Sequence, residues 1–149
     1  MAYDSAMQAD IEAFYAECFT ALGWRYKPEG RHSDIVNIPK EYLAHGQFWC
    51  LYDAGELVGT AAIRTINTEK RTAEMKRLYV LPARQGKGFG GMLFEAALNY
   101  AKASDFKKLC ADTRRDRGAS QHLMKKHGFM EIAKYNDNEF AELFFEVEL

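Results

Sequence analysis

A glycine-rich turn between a strand-like segment and a helix-like segment carries the clearest chemistry in this sequence. Four of the residues from 86 to 91 are glycines, which leave the backbone open to a ligand. The segment before the turn ends at Pro82, which cannot donate to a sheet ladder. After the turn, apolar residues recur at helical spacing: Leu93, Phe94, Ala97, Leu98 and Ala101. A helix that begins here directs free N–H groups and its positive dipole end at the turn, so the segment predicts a phosphate site.

The spacing of the glycines separates several kinds of phosphate site. A nucleotide P-loop is excluded, because Lys87 is followed by Gly88 and not by the required Ser or Thr. The pattern G-x-G-x-x-G is satisfied by Gly86, Gly88 and Gly91, and Asp112 lies about where a ribose-binding acid would be. However, residues 82–85 separate the strand from the first glycine, and residues 113–149 are too few for a second mononucleotide half. A nicotinamide dinucleotide-binding domain is therefore the less favoured interpretation.

A third pattern fits this segment better. The spacing Gln/Arg-x-x-Gly-x-Gly/Ala is present as Gln85-x-x-Gly88-x-Gly90, and Gly128-Phe129 follows a short helical segment. With the strand at 73–80, these features resemble the GNAT superfamily of N-acetyltransferases, closely over residues 57–149 and loosely before them. The resemblance implies an α/β fold: a mixed, mostly antiparallel sheet flanked by helices, with one parallel β-α-β crossover and a splayed central strand pair.

The resemblance also implies acetyl-CoA as co-substrate and a set of residues that bind it. The backbone of Leu78, Tyr79 and Val80 would hold the pantetheine arm, and a backbone N–H near Val80 would polarise the thioester carbonyl. The pyrophosphate would lie against the turn, which consists of Arg84, Gln85, Gly86, Lys87, Gly88, Phe89, Gly90 and Gly91. Arg84 and Lys87 either add charge for the phosphates or are solvated surface residues.

Glu74 is the predicted general base. A carboxylate inside a central strand is costly unless it is paired or used, and its position matches the glutamate base of those GNAT members that have one. The alternative is a structural ion pair with Lys76 or Arg77.

The general acid is less well defined. Met124 occupies the position of the tyrosine that the resemblance would supply, and a thioether cannot donate a proton; Ser120 stands where alanine is common. Tyr135, His122 and Cys110 could replace the tyrosine as proton donor on the basis of their chemistry alone. Cys110 could also act as a covalent acetyl carrier. Alternatively no acid is needed, because a thiol with a pKa of about 8.5 gives a thiolate that can leave without being protonated.

The elements that position these residues follow from periodicity and turn signals. We expect helices at 11–22, 39–44, 92–101 and 116–127, and strands at 47–52, 57–66, 74–80, 107–113, 129–135 and 140–149. A long irregular loop covers 24–38, and residues 1–9 offer at most a stub of the first strand that the resemblance implies.

Length, charge and cysteine content limit the function classes. A chain of 149 residues with net charge −1 predicts one domain, 1–149, without bulk attraction to nucleic acid or membranes. No apolar run reaches the length of about 20 residues that a membrane helix needs, and the N-terminal residues do not resemble a signal peptide. Cys18, Cys50 and Cys110 lack metal-ligand spacing, which predicts reduced thiols, a cytoplasmic location and no metal.

The predicted function is transfer of an acetyl group from acetyl-CoA to a primary amine, by direct attack in a ternary complex. The acceptor is a small-molecule or peptide amine, and a homodimer is left open. The missing tyrosine motivates an alternative, a CoA-binding regulatory module without turnover. From Glu131 onward there are six acids and one lysine, which favours a cationic acceptor or simply a solvated strand face. Candidate acceptor contacts are Tyr26, Trp49, Tyr135, Asp137 and Glu139.

Overall fold

In the computed structural model, which describes residues 1–149, six strands form one mixed sheet. The strands are β1 Gln47–Asp53, β2 Glu56–Asn67, β3 Thr72–Val80, β4 Lys108–Thr113, β5 Met130–Ile132 and β6 Leu143–Glu148. Their order is β1-β2-β3-β4-β6-β5, and only β3 and β4 are parallel. The predicted fold class, a mostly antiparallel α/β sheet with one parallel crossover, is confirmed.

Four α-helices and three short helical turns flank this sheet. The helices are α1 Gln8–Ala21, α2 Ser33–Val36, α3 Phe89–Ala103 and α4 Gly118–Lys126. The short turns are Ser5–Met7, Pro39–Leu43 and Pro82–Arg84. None of the helices combines the length and the apolar character that crossing a bilayer requires.

The central strands β3 and β4 separate in the middle of the sheet, as predicted. They are paired only between Thr72–Met75 and Lys108–Ala111. Beyond that point β3 carries a bulge against β2, and Arg77 takes a positive φ of 57° there. A bulge bends its strand and increases the local twist, so the second half of β3 turns away from β4 and leaves a wedge-shaped opening.

Two apolar cores cover the two faces of the sheet. One lies under α3, whose predicted inward residues are all buried. The other lies under α1 and contains Ile11, Phe14, Tyr15, Cys18 and Phe19 at the predicted helical spacing. Leu22, also predicted to face this core, is instead 38% exposed, because α1 ends at Ala21.

Helix α4 begins later than predicted and ends where predicted. Asp116 does not cap it; its carboxylate instead lies 3.5 Å from the Arg114 guanidinium. At the other end Gly128 takes a positive φ of 83°, and the Phe129 N–H donates to the Met124 carbonyl at 2.9 Å. The Gly128 N–H donates to the Lys125 carbonyl, so the end of the helix is a Schellman cap.

The last two strands are shorter than predicted, since residues 133–142 form a loop. Two asparagine side chains accept hydrogen bonds from backbone N–H groups of this loop. The Asn138 N–H donates to the Asn136 side chain, and the Phe140 N–H donates to the Asn138 side chain, both at 3.1 Å. Such local side-chain bonds compete with a strand ladder. Both faces of β6 carry buried residues, because Phe144, on the face opposite Leu143 and Phe145, is covered by Tyr135 at 5.7 Å between ring centroids.

The N-terminal residues form the expected stub of a first strand. Ala2 makes a single antiparallel bridge to Trp49, and the Tyr3 N–H donates to the Phe48 carbonyl at 2.8 Å. The outer edge of β1 is therefore partly covered without a complete seventh strand.

Candidate functional site

Two cavities meet where β3 separates from β4. The smaller has a volume of about 470 Å³ and the larger about 860 Å³. Four residues line both of them: Leu78, Tyr79, Arg117 and Ser120. A group bound in one cavity can therefore contact a group bound in the other at these residues, which we call the junction.

The smaller cavity lies against the glycine-rich turn. Most of the predicted CoA-binding residues line it: Leu78, Tyr79, Val80, Arg84, Gln85, Gly86, Gly88, Phe89 and Gly90. Lys87 and Gly91 do not line it; the Lys87 side chain is exposed, and Gly91 lies in the first turn of α3.

The turn presents a set of free backbone donors. The N–H groups of residues 86–91 donate no hydrogen bond within the protein, and they lie at the N-terminus of a 15-residue helix. Gly86 and Gly88 have positive φ angles of 78° and 83°, and a Cβ atom at either position would meet no atom within 4 Å. Unpaired N–H groups at the positive end of a helix dipole suit a diphosphate, so the residues present fit the pyrophosphate of CoA.

The exposed edge of β3 supplies further donors and acceptors. The Leu81 N–H bonds to the Val58 carbonyl on β2 at 2.9 Å, so strand alternation turns the Val80 N–H toward the opening beside β4. The Gln85 side chain donates to the Val80 carbonyl at 3.2 Å. The charge of Arg84 is partly neutralised, because its guanidinium binds Asp53 at 3.1 Å and also Glu56.

Glu74 is completely buried and both of its carboxylate oxygens are occupied. Arg64 binds Oε1 through Nε at 2.9 Å and Nη2 at 2.8 Å, while Tyr135 and Asn136 donate to Oε2 at 2.6 and 3.0 Å. Of the two ion-pair partners considered from sequence, Lys76 is farther away at 3.8 Å, and Arg77 binds Asp34 instead. Glu74 lines neither cavity, and its role as base stays a prediction. Arg64 was missed; its signal is the cross-strand register that places it opposite Glu74.

The hydrogen bonds around Glu74 continue to a second carboxylate. Asn136 also donates to Asp112 at 2.7 Å, and the Lys76 ammonium lies 3.0 Å from the same oxygen. Burial alone would raise the pKa of Asp112, but the charge of Lys76 and the hydrogen bonds from Asn136, Lys76 and Asn138 hold it below its ordinary value. Burial, and next the charge of Glu74, raises the pKa of Tyr135, which serves here as a donor to Glu74.

The structure places the remaining acid candidates in different environments. Tyr135 lines neither cavity, and His122 is exposed on α4 and also lines neither. Burial raises the pKa of Cys110 to about 11. Met124 lines the larger cavity and is 4% exposed, so its thioether forms part of the cavity wall. One turn before it, Ser120 is the hydroxyl group on α4 that lines both cavities.

The larger cavity is rich in charge of both signs. Its cationic residues are Arg31, Arg64, Lys76, Arg77, Arg114 and Arg117, and its acidic residues are Asp34, Glu41, Asp112 and Asp137. Residues of the 24–38 and 133–142 loops form much of its wall. Among the candidate acceptor contacts only Asp137 lines it; Trp49, for example, packs on Tyr100 at 5.2 Å, in the core under α3.

A buried ion pair and a buried histidine support the wall formed by the 24–38 loop. Arg77 binds Asp34 through two hydrogen bonds of 2.8 and 2.6 Å, and these outweigh burial to hold the pKa of Asp34 below its ordinary value. His32 stacks on Phe19 at 4.2 Å, and its Nδ1 accepts the Lys27 N–H at 2.9 Å. Burial and then the charge of Arg77 lower the pKa of His32 to about 4.

Comparisons with known sequences agree with this geometry. The model of the acetyltransferase (GNAT) family matches residues 8–129. N-acetyltransferase family 8 member 2 of Rattus norvegicus is 24% identical over 126 residues, covering 79% of this chain. The chain spans just over half, 56%, of that relative. IAA acetyltransferase of Azospirillum brasilense is 28% identical over 130 residues, covering 87% of this chain and 82% of the relative.

Solved structures show the same fold. An acetyltransferase of the GNAT family from Staphylococcus aureus Mu50 superposes with a TM-score of 0.86 at 16% identity, covering 99% of this chain and 96% of the other. An acetyltransferase from Salmonella typhimurium, solved with its cofactor acetyl-CoA, has a TM-score of 0.72 at 21% identity, covering 99% and 91%. With a family match over residues 8–129 and a glycine turn that opens beside a parted strand pair, this chain belongs to the acetyltransferase (GNAT) family.

Proposed function

We propose that this protein is an acetyl-CoA-dependent N-acetyltransferase that acts on a primary amine by direct attack in a ternary complex. The observation that supports this most directly is the junction, where a cavity lined by the glycine turn meets a larger polar cavity. Two substrates bound in such cavities are held at the distance that a direct reaction needs, which removes much of its entropic cost.

The residues of the smaller cavity bind and orient the acyl donor. The free N–H groups of residues 86–91 would hold the pyrophosphate, and the exposed backbone of Leu78–Val80 would hold the pantetheine arm. When bound, acetyl-CoA supplies an activated acetyl thioester. The Val80 N–H would then donate to the carbonyl oxygen, where negative charge develops during attack.

Deprotonation of the amine is favoured by the charge at the junction. Arg117 lies over the Tyr79 ring at 4.8 Å and forms no ion pair, so its positive charge lowers the pKa of a nearby amine. Glu74 is the proposed base. To reach the amine, Glu74 must replace its hydrogen bond from Asn136, which lines the larger cavity, by one from the acceptor or from a water molecule.

Ser120 is the proposed donor to the departing thiolate. It lines both cavities, whereas Tyr135 and His122 line neither. A hydrogen bond is sufficient in this role because a thiolate is a much weaker base than an alkoxide.

The function is tested by measuring thiol release from acetyl-CoA with a panel of amines, amino acids and polyamines, and by mass spectrometry of the product. We expect amine-dependent thiol release and a product heavier by one acetyl group. Reactions without amine provide the control for slow hydrolysis.

The regulatory alternative is favoured by one observation, the buried Met124 thioether at the position where a tyrosine acid was expected. That alternative predicts acetyl-CoA binding by calorimetry together with no thiol release for any amine. Absence of acetyl-CoA binding at millimolar concentration would contradict both functions.

We also propose a cytoplasmic location. Cys18, Cys50 and Cys110 are all free and buried, which suits a reducing compartment. Fractionation of cells that express the protein at its natural level tests this, and recovery outside the cytoplasm would contradict it.

A further inference from the structure

Two arginines of the larger cavity have no carboxylate partner. Arg64, Lys76 and Arg77 are neutralised by Glu74, Asp112 and Asp34. Arg31 and Arg117, in contrast, form no ion pair at all. A third, Arg114, forms two ion pairs, with Asp116 at 3.5 Å and Glu142 at 3.7 Å, both longer than a hydrogen bond of ordinary length.

Arg31 and Arg114 lie on the same aromatic wall. Each guanidinium carbon is 5.8 Å from the Trp24 ring centroid. Arg31 also lies over the Phe140 ring at 4.0 Å, and Arg114 donates to the Phe140 carbonyl at 2.9 Å. The aromatic contacts therefore hold both side chains in place; the charge of Arg31 is left without a carboxylate, and that of Arg114 is only partly balanced by Asp116 and Glu142.

Both of these guanidinium groups have an unused donor. The Nε atoms of Arg31 and Arg114 are buried and form no hydrogen bond, although the Arg114 Nε lies 3.5 Å from Asp116 Oδ1. Buried N–H groups are nearly always paired in native proteins, so two unpaired ones in a cavity wall indicate a partner that arrives with a ligand. A planar guanidinium with free donors matches the two oxygens of a carboxylate, as it does those of a phosphate.

The same cavity also contains negative charge that is outside any ion pair. Glu41 and Asp137 line it without a cationic partner. A cavity that presents free charges of both signs suits a molecule that carries both an amine and an acid. The acid-rich C-terminal segment, which favoured a cationic acceptor, contributes only Asp137 to this wall.

We propose that the acceptor is an amino carboxylate, bound through its carboxylate by Arg31 and Arg114 against Trp24 and Phe140, with its amine directed to the junction. This inference rests on the proposed function. In the reaction the amine nitrogen forms the C–N bond as the C–S bond breaks; the amine releases a proton to base or solvent, and the thiolate takes one up.

The first test compares acceptors that differ only in the carboxylate. The matched sets are L-phenylalanine, L-phenylalaninamide and phenethylamine, and L-leucine with L-leucinamide; spermidine represents cationic acceptors. We expect kcat/KM for the amino acids to exceed that of the amides and decarboxylated amines at least about 10-fold, the usual effect of a charge-assisted hydrogen bond. Equal or better rates with the amides or spermidine would overturn the inference. A peptide with a free C-terminus and its C-terminal amide show whether the carboxylate belongs to a free amino acid or a peptide.

The second test removes the arginines. Arg31→Gln and Arg114→Gln should each raise KM for the preferred amino acid about 10-fold and bring the amino acid-to-amide ratio toward one. Arg31→Lys keeps the charge without the planar donors and should lose part of the preference, which keeps the inference testable if Arg31→Gln does not fold. Arg115→Gln is the matched control, because Arg115 is adjacent, exposed and outside both cavities. An unchanged ratio in folded Arg31 and Arg114 variants would overturn the inference.

Calorimetry separates failure of the acceptor class from failure of the proposed function. L-Phenylalanine and its amide are titrated into the complex with CoA. Carboxylate-selective binding without acetyl transfer supports the carboxylate site at Arg31 and Arg114 and counts against the enzyme. Acetyl transfer without selectivity supports the enzyme and overturns the inference, and neither binding nor transfer overturns both.

Discussion

Glu74 shows how a single buried carboxylate is tolerated in this sheet. Its two oxygens receive three hydrogen bonds, one from each of three side chains, and a second ion-pair contact from Arg64; the neighbouring Asp112 is paired with Lys76. A buried charge is tolerated only when its hydrogen-bonding capacity is satisfied in this way. The expectation that a strand carboxylate must be paired is confirmed, and its catalytic use is a proposal.

Replacing Glu74 by Gln tests both roles. We expect kcat/KM at neutral pH to fall at least about 10-fold, because an amide cannot accept the amine proton. Unfolding free energy should also fall by about 2 kcal/mol, since Arg64 is left without its partner but remains partly solvated. Thiol release and urea denaturation measure the two effects. Glu131→Gln, an exposed substitution of the same kind, is the control. Unchanged kcat/KM in folded Glu74→Gln would exclude the base role.

His32 should make the stability of the protein depend on pH below neutrality. Its pKa is about 4 when folded and about 6.5 when unfolded, because burial and then the charges of Arg77 and Arg31 disfavour the protonated ring. The stabilisation is complete above pH 6.5 and is lost as the pH falls toward 4, with a slope of at most about 1.4 kcal/mol per pH unit.

The measurement is urea denaturation between pH 4.5 and 7.5. His32→Gln keeps an acceptor for the Lys27 N–H and should reduce this slope, whereas His45→Gln, on an exposed residue, should not. The same slope in wild type and His32→Gln would show that other groups are responsible.

At the scale of elements, the strand β3, the glycine turn and α3 form one binding unit. The bulge in β3 frees its edge from β4, and the positive φ angles of Gly86 and Gly88 orient free N–H groups toward the same opening. The periodicity of α3 then anchors the turn to the core. If the proposed pyrophosphate site is correct, phosphate recognition depends on backbone shape more than on the charge of Arg84 or Lys87.

Gly88→Ala tests the binding unit. The added Cβ lies in open space within the smaller cavity, and the positive φ costs about 1 kcal/mol for alanine. We expect acetyl-CoA affinity to fall about 10-fold, since displacement of the ligand weakens charge-assisted hydrogen bonds. Calorimetry with acetyl-CoA gives the affinity.

The matched control for Gly88→Ala is Gly128→Ala. Gly128 has the same φ of 83° and the same open surroundings but lies outside both cavities. Both variants should lose similar stability, and only Gly88→Ala should lose affinity. Equal affinities for the two would place the pyrophosphate away from the turn.

At the scale of the whole molecule, two cavities that share one junction favour a sequential reaction over an acetyl-enzyme. Burial raises the pKa of Cys110 to about 11, so its thiolate is scarce at neutral pH. We expect initial-rate plots with intersecting lines, and Cys110→Ala should keep kcat within about 2-fold. Parallel lines, or a burst of thiol release without amine, would contradict direct attack.

Much of the fold and the donor site is encoded in short stretches of sequence. The apolar spacing of α1 and α3, the hairpin between β1 and β2, the glycine turn and the Gly128 cap were all predictable, because side-chain periodicity and glycine conformation act locally. Local rules failed where side chains compete with the ladder, as Asn136 and Asn138 do in shortening β5 and β6.

The sequence by itself determined that a helix begins at a glycine-rich turn after a strand, and this pattern carried the resemblance to the family. Only the tertiary structure decided which charges remain free around the acceptor. Arg31 with Trp24, Arg114 and Phe140 come from three segments that are far apart in the chain, and they meet because the loops before α2, after β4 and before β6 converge on the same opening. Whether a charge is paired depends on the distances between such loops, and the spacing of residues along the chain does not specify those distances.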